Sequence, residues 1–511
     1  MIKIGEHPLT LDDFNNILYN KEKIKIDAKA LKKVQSNFNF LDKYCKGKVI
    51  YGINTGLGPM AQYRIDEKDC TQLQYNAIRS HSSGTGNPIP DIYVKSAMIV
   101  RLNNFLKGYS GIHPEVVELL KNLINKDIYP LIPEHGGVGA SGDLVQLAHL
   151  ALVLIGEGEV SYHGKFLPTK TVFAQNNIHP IKMHLREGLS LINGTSVMTG
   201  IGLINSIMAK NLLNWAILTS AMINEIVESF DDHFSKELNN VKLHEGQIKV
   251  SEIIRIILKN SKLIRKREDH FFNNHIKGYL LKEKVQEYYS FRCVPQILGP
   301  VYSTIENTEK VLINEVNSVS DNPIIDSENN NVYHGGNFHG DYVSLEMDKL
   351  KIAVTKLSML CERQLNYLLN DKLNNKLPPF INLGKLGLNF GMQGIQFTAT
   401  STVAENQTLS FPMYVHSIPN NNDNQDIVSM GTNASLITKQ IIENSYQVIA
   451  IELIAILQAI DYLKIEDKLS GYSKTAFTNL RKIIPKFKED SPRYKDIQNV
   501  KNFLMEYKLE F

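Results

Sequence analysis

The feature that most constrains this chain is a set of long segments without proline. Ala434 to Leu463 and Val197 to Phe230 each run on well past the mean helix length of ~11–12 residues. In a third segment, Val343, Met347, Leu350, Val354, Leu357 and Cys361 recur at spacings of four and three. That spacing lays an apolar, heptad-like stripe along one face of a single long helix. Asp143 to Ile155 is apolar on nearly every side after its start, the pattern of a helix buried all round. Together these segments predict a mainly α fold, a bundle of long helices. The stripe can pack within the subunit or against a second copy, so a homo-oligomer is expected.

Strand signals are few. Val49-Ile50-Tyr51 and Val160 to Phe166 are the pieces expected to form strands or a hairpin in the N-terminal part. Strands and helices do not alternate along the chain, so a doubly wound sheet is not expected. No Pro/Gly/Ser-rich linker, repeat or low-complexity tract divides the sequence. The nearest thing, Asn420 to Asn424, reads as a tight polar loop. One integrated fold is therefore expected, with an N-terminal part over residues 1–200 and the long-helix bundle over residues 201–511.

Composition excludes several classes. The 511 residues are 43% hydrophobic and 21% charged, enough to build a large core, and the net charge is only +3. A nucleic-acid or membrane-surface protein would show a basic patch or run. The four cysteines, Cys45, Cys70, Cys293 and Cys361, form no CxxC pair. The N-terminus has no basic-then-apolar signal, and Asp12 and Asp13 come early. A cytoplasmic protein is expected, with neither a nucleic-acid nor a membrane partner. HEXXH spacing is absent and no Cys/His cluster stands out along the chain, so no metal site is expected.

The most informative stretch is HGGVGASGDLVQLAHL, His135 to Leu150. Its Gly137-x-Gly139-x-x-Gly142 spacing matches a dinucleotide fingerprint, but that motif needs a preceding apolar strand within a βαβ unit. Here Pro130 and Pro133 are expected to interrupt any ladder. A P-loop fails because no Lys-Ser/Thr pair ends the glycine run, and a hydrolase elbow fails because GASGD is not GxSxG. A plain glycine turn opening a buried helix remains the simplest reading of this segment alone. His135 and His149 are expected to be satisfied core histidines.

Chemistry offers a sharper reading. A backbone nitrogen can attack a carbonyl two residues earlier if the turn is tightly compressed. Glycine permits the backbone angles this needs and leaves its own nitrogen uncrowded. Attack of the Gly142 nitrogen on the Ala140 carbonyl carbon closes a five-membered ring. Loss of two waters, one of them carrying the Ser141 hydroxyl, leaves an exocyclic methylidene on an imidazolone. That is a strong electrophile built without an external cofactor. Asp143 is expected at the mouth of the helix that follows.

GGxGASGDLxxLAH resembles the signature of the aromatic amino-acid ammonia-lyases and related aminomutases, which carry this 4-methylideneimidazol-5-one group. Further motifs of that family follow in its order from about residue 50 to residue 431. The resemblance implies the family's helical-bundle fold and a homotetramer whose sites draw on more than one subunit. It makes Tyr51, in YGINTGLGP, the catalytic base on a mobile loop; a phenolate is strong enough to take a weakly acidic β proton. Asn193, in GLSLINGTS, lies beside the prosthetic ring of Ala140, Ser141 and Gly142. QEYYSFRCVPQ supplies Gln286, Tyr289 near the departing amine, and Arg292 as partner of the substrate carboxylate. Phe338 packs against ring and substrate, and Asn322 is structural or carboxylate-binding. Glu405 is expected to be supportive.

Substrate choice is mixed. Ser80-His81 stands where family members contact the substrate side chain, and histidine lyases typically show Ser-His there. Asn424-Gln425-Asp426 stands where those lyases usually show Gln-Glu-Asp; Gln425 cannot offer the negative charge of their glutamate. Asn-Gln-Asp is the pattern of phenylalanine and tyrosine lyases. The combination resembles bacterial tyrosine ammonia-lyases, so conversion of L-tyrosine to trans-4-coumarate is expected. Histidine, giving urocanate, is the alternative within the class, and a dinucleotide-binding oxidoreductase is the rival outside it.

Overall fold

The structure is a computed structural model, and it describes residues 1–272, 279–281 and 283–511. The long segments are helices with bounds close to those expected: Ser196–Ile226, Asp341–Leu369 and Gly431–Leu463, with Val294–Val316 as a further long helix. All six residues of the 343–361 stripe are fully buried within the single chain. The stripe is therefore core, and none of it is left over for a second copy. By length and composition two helices, Ser196–Ile226 and Gly431–Leu463, could cross a membrane, but 72% and 78% of their apolar windows are buried inside the chain.

The chain forms two compact units. The first comprises Met1–Asn205, Thr308–Asp348 and Pro412–Thr438. Two later segments of the chain thus join the N-terminal residues in the same unit. Its strands are short. Ile2–Ile4 pairs in parallel with Ile24–Ile26, and Glu159–Tyr162 and Lys165–Pro168 form an antiparallel hairpin. That hairpin, expected from Val160 to Phe166, turns on His163 and Gly164, both with positive φ (52° and 73°). Paired positive φ at a two-residue turn matches the right-handed strand twist.

Two strand expectations are corrected. Val49 to Tyr51 is not a strand. The Ile50 N–H donates to Asn54 Oδ1 at 2.9 Å, and the Ile50 carbonyl accepts from the Ile53 N–H at 3.1 Å, so a turn uses these groups. Conversely, Pro130 and Pro133 do lie in short ladders, in Tyr129–Pro130 and Pro133–His135. Each of these strands pairs on one side only, where a missing N–H leaves no ladder bond unmade.

The second unit comprises Ser206–Asn307, Lys349–Phe411 and Lys439–Phe511. It is helical, and the buried Trp215 indole N–H donates to the Leu504 carbonyl at 3.2 Å. Glu405 belongs here; its carboxylate accepts from Asn444 Nδ2 at 3.2 Å, a bond between neighbouring helices.

Candidate active site

The Ala140-Ser141-Gly142 turn lies in the first unit against a second glycine turn, Asn193-Gly194. Gly142 has φ +72°, and a Cβ there would overlap the Gly194 carbonyl. The Asp143 N–H donates to the same carbonyl at 2.8 Å, and the two turns form a parallel bridge at Gly142 and Gly194. Gly194 has φ +147°, and a Cβ there would overlap the Arg101 guanidinium. Only glycine lets the two turns approach this closely.

Asp143 stands at the mouth of the following helix, as expected, in its N-cap position. It precedes the Leu144–Leu154 helix but makes no side-chain cap to it. Its Oδ2 instead accepts the Val197 and Met198 N–H groups at 2.7 and 3.0 Å, at the start of the Ser196–Ile226 helix. Its Oδ1 accepts the Thr432 hydroxyl. Burial pushes this carboxyl up to about 6 despite those three donors.

The supporting side chains come from elsewhere. Asn193 Nδ2 donates to the Ser141 carbonyl at 3.1 Å. Fully buried Arg101 donates to the Asn193 carbonyl at 2.8 Å and to the Ser190 carbonyl, and its guanidinium lies 4.4 Å from the centre of the Phe105 ring. Burial pushes Arg101 down to about 10. A buried ion pair, Arg186 to Asp321 at 3.0 Å, fixes the 321–322 turn, and Arg186 also donates to the Asn322 carbonyl at 2.8 Å. The compressed, glycine-only turn and the donor on the Ser141 carbonyl suit a self-condensed Ala140-Ser141-Gly142 ring.

Tyr51 stands at the base of a loop closed by the Gly56 N–H to Tyr63 carbonyl bond at 2.9 Å. The Gly58 N–H donates to the Tyr51 hydroxyl oxygen at 3.0 Å. Buried Gln74 ties this loop to the helix that leads to Asn193. It donates to the Gly52 carbonyl at 3.0 Å and accepts from the Leu189 N–H at 3.2 Å.

Ser80 and His81 end the Cys70–His81 helix. His81 Nδ1 lies 2.8 Å from the Ala77 carbonyl. The same Nδ1 lies 3.1 Å from Ser80 Oγ; donation to the Ala77 carbonyl, which only accepts, is the arrangement that leaves Nε2 as an acceptor. Gln425 Nε2 donates to Ser141 Oγ at 3.1 Å.

Tyr51, Ser80, His81, Ser141, Asn193, Asn322, Phe338 and Gln425 all line one cavity of about 860 Å³ in this unit. Leu73, Leu144, Leu189, Ile192 and Met60 supply its apolar wall. Among the described residues, its lining contains no carboxylate. Sequence reasoning missed Arg101, Gln74, Met60, Tyr63 and Asn421. Arg101 alone left a trace, as a charge inside the apolar run IVRLNNF.

Gln286, Tyr289 and Arg292 are gathered in the second unit. Arg292 Nη1 donates to Gln286 Oε1 at 2.5 Å, and the guanidinium lies 4.5 Å from the Tyr289 ring centre. With Lys284, Glu287 and Tyr288 they line a cavity of about 350 Å³. Burial pushes the Glu287 carboxyl up.

His149 is half-buried and accepts the Gly84 N–H at 3.1 Å on Nε2, as a core histidine should. His135 is exposed, against expectation, because the short strand carrying it lies at the unit's surface. The dinucleotide reading fails. The strand before the glycine turn pairs antiparallel with Thr85–Pro88, and no βαβ unit surrounds it among the described residues.

Residues 9–482 match the family described as aromatic amino acid lyase. A histidine ammonia-lyase of Bacillus cytotoxicus is 37% identical over 505 residues, covering 99% of this chain and 97% of that one. A tyrosine 2,3-aminomutase of a Myxococcus species is 37% identical over 492 residues, covering 94% of this chain and 93% of that one. Among solved structures, the tyrosine aminomutase of Streptomyces globisporus superposes with a TM-score of 0.94 at 33% identity, covering 99% of this chain and 96% of that one. The glycine-locked turn, the cavity beside it and these likenesses agree: the chain is a carbon–nitrogen lyase and belongs to the aromatic amino acid lyase family.

Proposed function

We propose that this enzyme eliminates ammonia from L-tyrosine and releases trans-4-coumarate. The observation that carries the reading is the 2.8 Å approach of His81 Nδ1 to the Ala77 carbonyl, which as a donor contact leaves Nε2 as an acceptor. On the cavity lining that acceptor suits a phenol O–H. A phenylalanine ring would offer that acceptor no partner, which is how polar sites reject apolar analogues. The carboxylate-free lining supports tyrosine over histidine, because no anion is at hand to hold an imidazolium.

The family uses a methylideneimidazolone formed from its own chain, and here Ala140, Ser141 and Gly142 are assigned to form it, with no external cofactor or metal. Once formed, the group would supply an electrophilic methylidene toward the substrate amine. Asn193 stabilises negative charge on the Ser141 carbonyl oxygen through its 3.1 Å bond. Tyr51 removes the β proton, its hydroxyl oxygen held in place by the Gly58 N–H at 3.0 Å. Ser80 and His81 receive the side chain, Phe338 packs on its ring, and Asn322 and Gln425 complete the polar wall.

Gln286, Tyr289 and Arg292 are assigned to the same reaction, Arg292 as the clamp on the substrate carboxylate. A homotetramer with sites shared between copies accommodates them, and Tyr289, 67% exposed on its own chain, supports that reading. We place the enzyme in the cytoplasm; none of its four cysteines is in a disulfide.

Histidine is the second reading, favoured by the Ser80-His81 pair and by the relatives named histidine ammonia-lyase. Product analysis with tyrosine, histidine and phenylalanine supplied separately distinguishes them. Preferred 4-coumarate supports the proposal; preferred urocanate overturns the substrate, and a β-amino acid as main product makes the enzyme an aminomutase.

A further inference from the structure

Three side chains outside the cavity, in no recognised metal-binding spacing along the chain, converge on one point. His113 caps the Pro114–Asn125 helix, Glu115 lies in its first turn, and His184 comes from the loop before the Glu187–Ile192 helix. One nitrogen from each imidazole and one Glu115 carboxylate oxygen all lie within 4.8 Å of one another. His113 Nδ1 and Glu115 Oε2 are 3.7 Å apart.

We propose that His113, Glu115 and His184 form a binding site for a divalent transition cation of the zinc class. Two imidazoles and one carboxylate are the donor set such a cation takes, leaving a fourth position for water. Bonds of ~2.0–2.1 Å in a tetrahedron put donor atoms ~3.4 Å apart. The separation of His113 Nδ1 from Glu115 Oε2 is already near that value, and a cation bound there takes over the lone pair that otherwise accepts the Glu115 N–H at 3.4 Å. The Glu115 side chain is 62% exposed and free to swing the rest of the way. The ring centroids of His113 and His184 are 5.0 Å apart with a 39° tilt, a spacing that two imidazoles on one cation also require.

The site is braced from beneath. Fully buried Glu187 accepts the His113 N–H on Oε1 and the His184 N–H on Oε2, both at 2.7 Å. One carboxylate thus fixes both ligand backbones. Phe38 packs edge-on against both rings, at 5.1 and 5.9 Å. Ligands held by a backbone clasp and an aromatic wedge are pre-organised, as metal sites need. Exposed Lys182 is the cation facing His184, and the Glu115 carboxylate offsets it. A bound cation would join the Pro114–Asn125 helix to the segment that leads through Glu187 to Asn193.

The test uses full-length protein stripped with a chelator and titrated with Co2+, then Zn2+ in competition. The wild type is expected to bind one Co2+ per chain, with visible d–d bands and no thiolate charge-transfer band; bound Zn2+ should raise the melting temperature. His184→Gln and Glu115→Gln leave the helix cap at His113 in place, and each should weaken binding by about tenfold or more. No saturable binding by the wild type overturns the proposal. So does equal binding by both variants, or a thiolate band showing that cysteines hold the cobalt.

Discussion

Replacing Gly194 with alanine tests whether the approach of two glycine turns drives condensation of Ala140-Ser141-Gly142. At φ +147° an alanine is strained by ~1–3 kcal/mol. Its Cβ would overlap the Arg101 guanidinium and come within 2.9 Å of Ser320 Oγ. Arg101 cannot swing away, because it is fully buried and bound to the Ser190 and Asn193 carbonyls. The turn must shift instead, and the shift breaks the 2.8 Å bond from the Asp143 N–H to the Gly194 carbonyl. A buried N–H left unpaired costs ~1–3 kcal/mol. Taking ~3 kcal/mol in all, at ~1.4 kcal/mol per decade, the compressed turn becomes about 100-fold less populated. Intact mass read at fixed times after expression follows the result directly. Wild type should fall short of its sequence mass by two waters, while most Gly194→Ala chains keep both. Gly471→Ala, where a Cβ meets nothing within 4 Å, is the control and should condense normally. If Gly194→Ala is as fully condensed as wild type at the earliest time, the approach of the turns is not what drives ring closure.

Three further outcomes are expected. Ser141→Ala has no hydroxyl to expel and forms no ring; relative to the uncondensed chain it loses only one 3.1 Å hydrogen bond from Gln425, worth ~0.5–1.5 kcal/mol, so it should fold with wild-type helix content and lose nearly all turnover, and near-wild-type activity would refute the prosthetic-group assignment. His81→Leu removes the acceptor, so kcat/KM for tyrosine should fall by about 100-fold while phenylalanine loses little; an equal fall for both substrates would mean that His81 acts only through packing. Burial pushes the Glu452 carboxyl up to about 8 from an ordinary 4.5. Between those values the folded chain keeps a proton that the unfolded chain releases, so stability falls as pH rises through that window. Glu452→Gln should flatten the loss of melting temperature between about pH 5 and about pH 8, and an unchanged slope would remove Glu452 as its cause.

The helices were legible because their cause is local. Proline-free length and the 343–361 periodicity persist whatever the surroundings, and their burial follows from the apolar side chains themselves. The hairpin at His163-Gly164 was legible for the same reason, since its turn residues tolerate positive φ. The Val49–Tyr51 stretch misled because its β-branched residues suit a strand while Asn54 captures the backbone in a turn. The prolines at 130 and 133 misled in the other direction, because whether a ladder needs an N–H depends on which side carries a neighbour.

The sequence by itself determined which residues could undergo the chemistry: an Ala-Ser-Gly turn, a tyrosine on a glycine loop, and a Ser-His pair near a glutamine. Tertiary structure decided how they are held. Arg101, Gln74 and Arg186 carry no motif, yet each bonds to a carbonyl or carboxylate far along the chain and sets the position of the cavity wall. Asp143 caps a helix that begins at Ser196 rather than its own, and His113 and His184 meet only because Glu187 binds both backbones. Spacing encodes what one helix or turn can do alone; contacts between distant segments depend on packing, which no local pattern records.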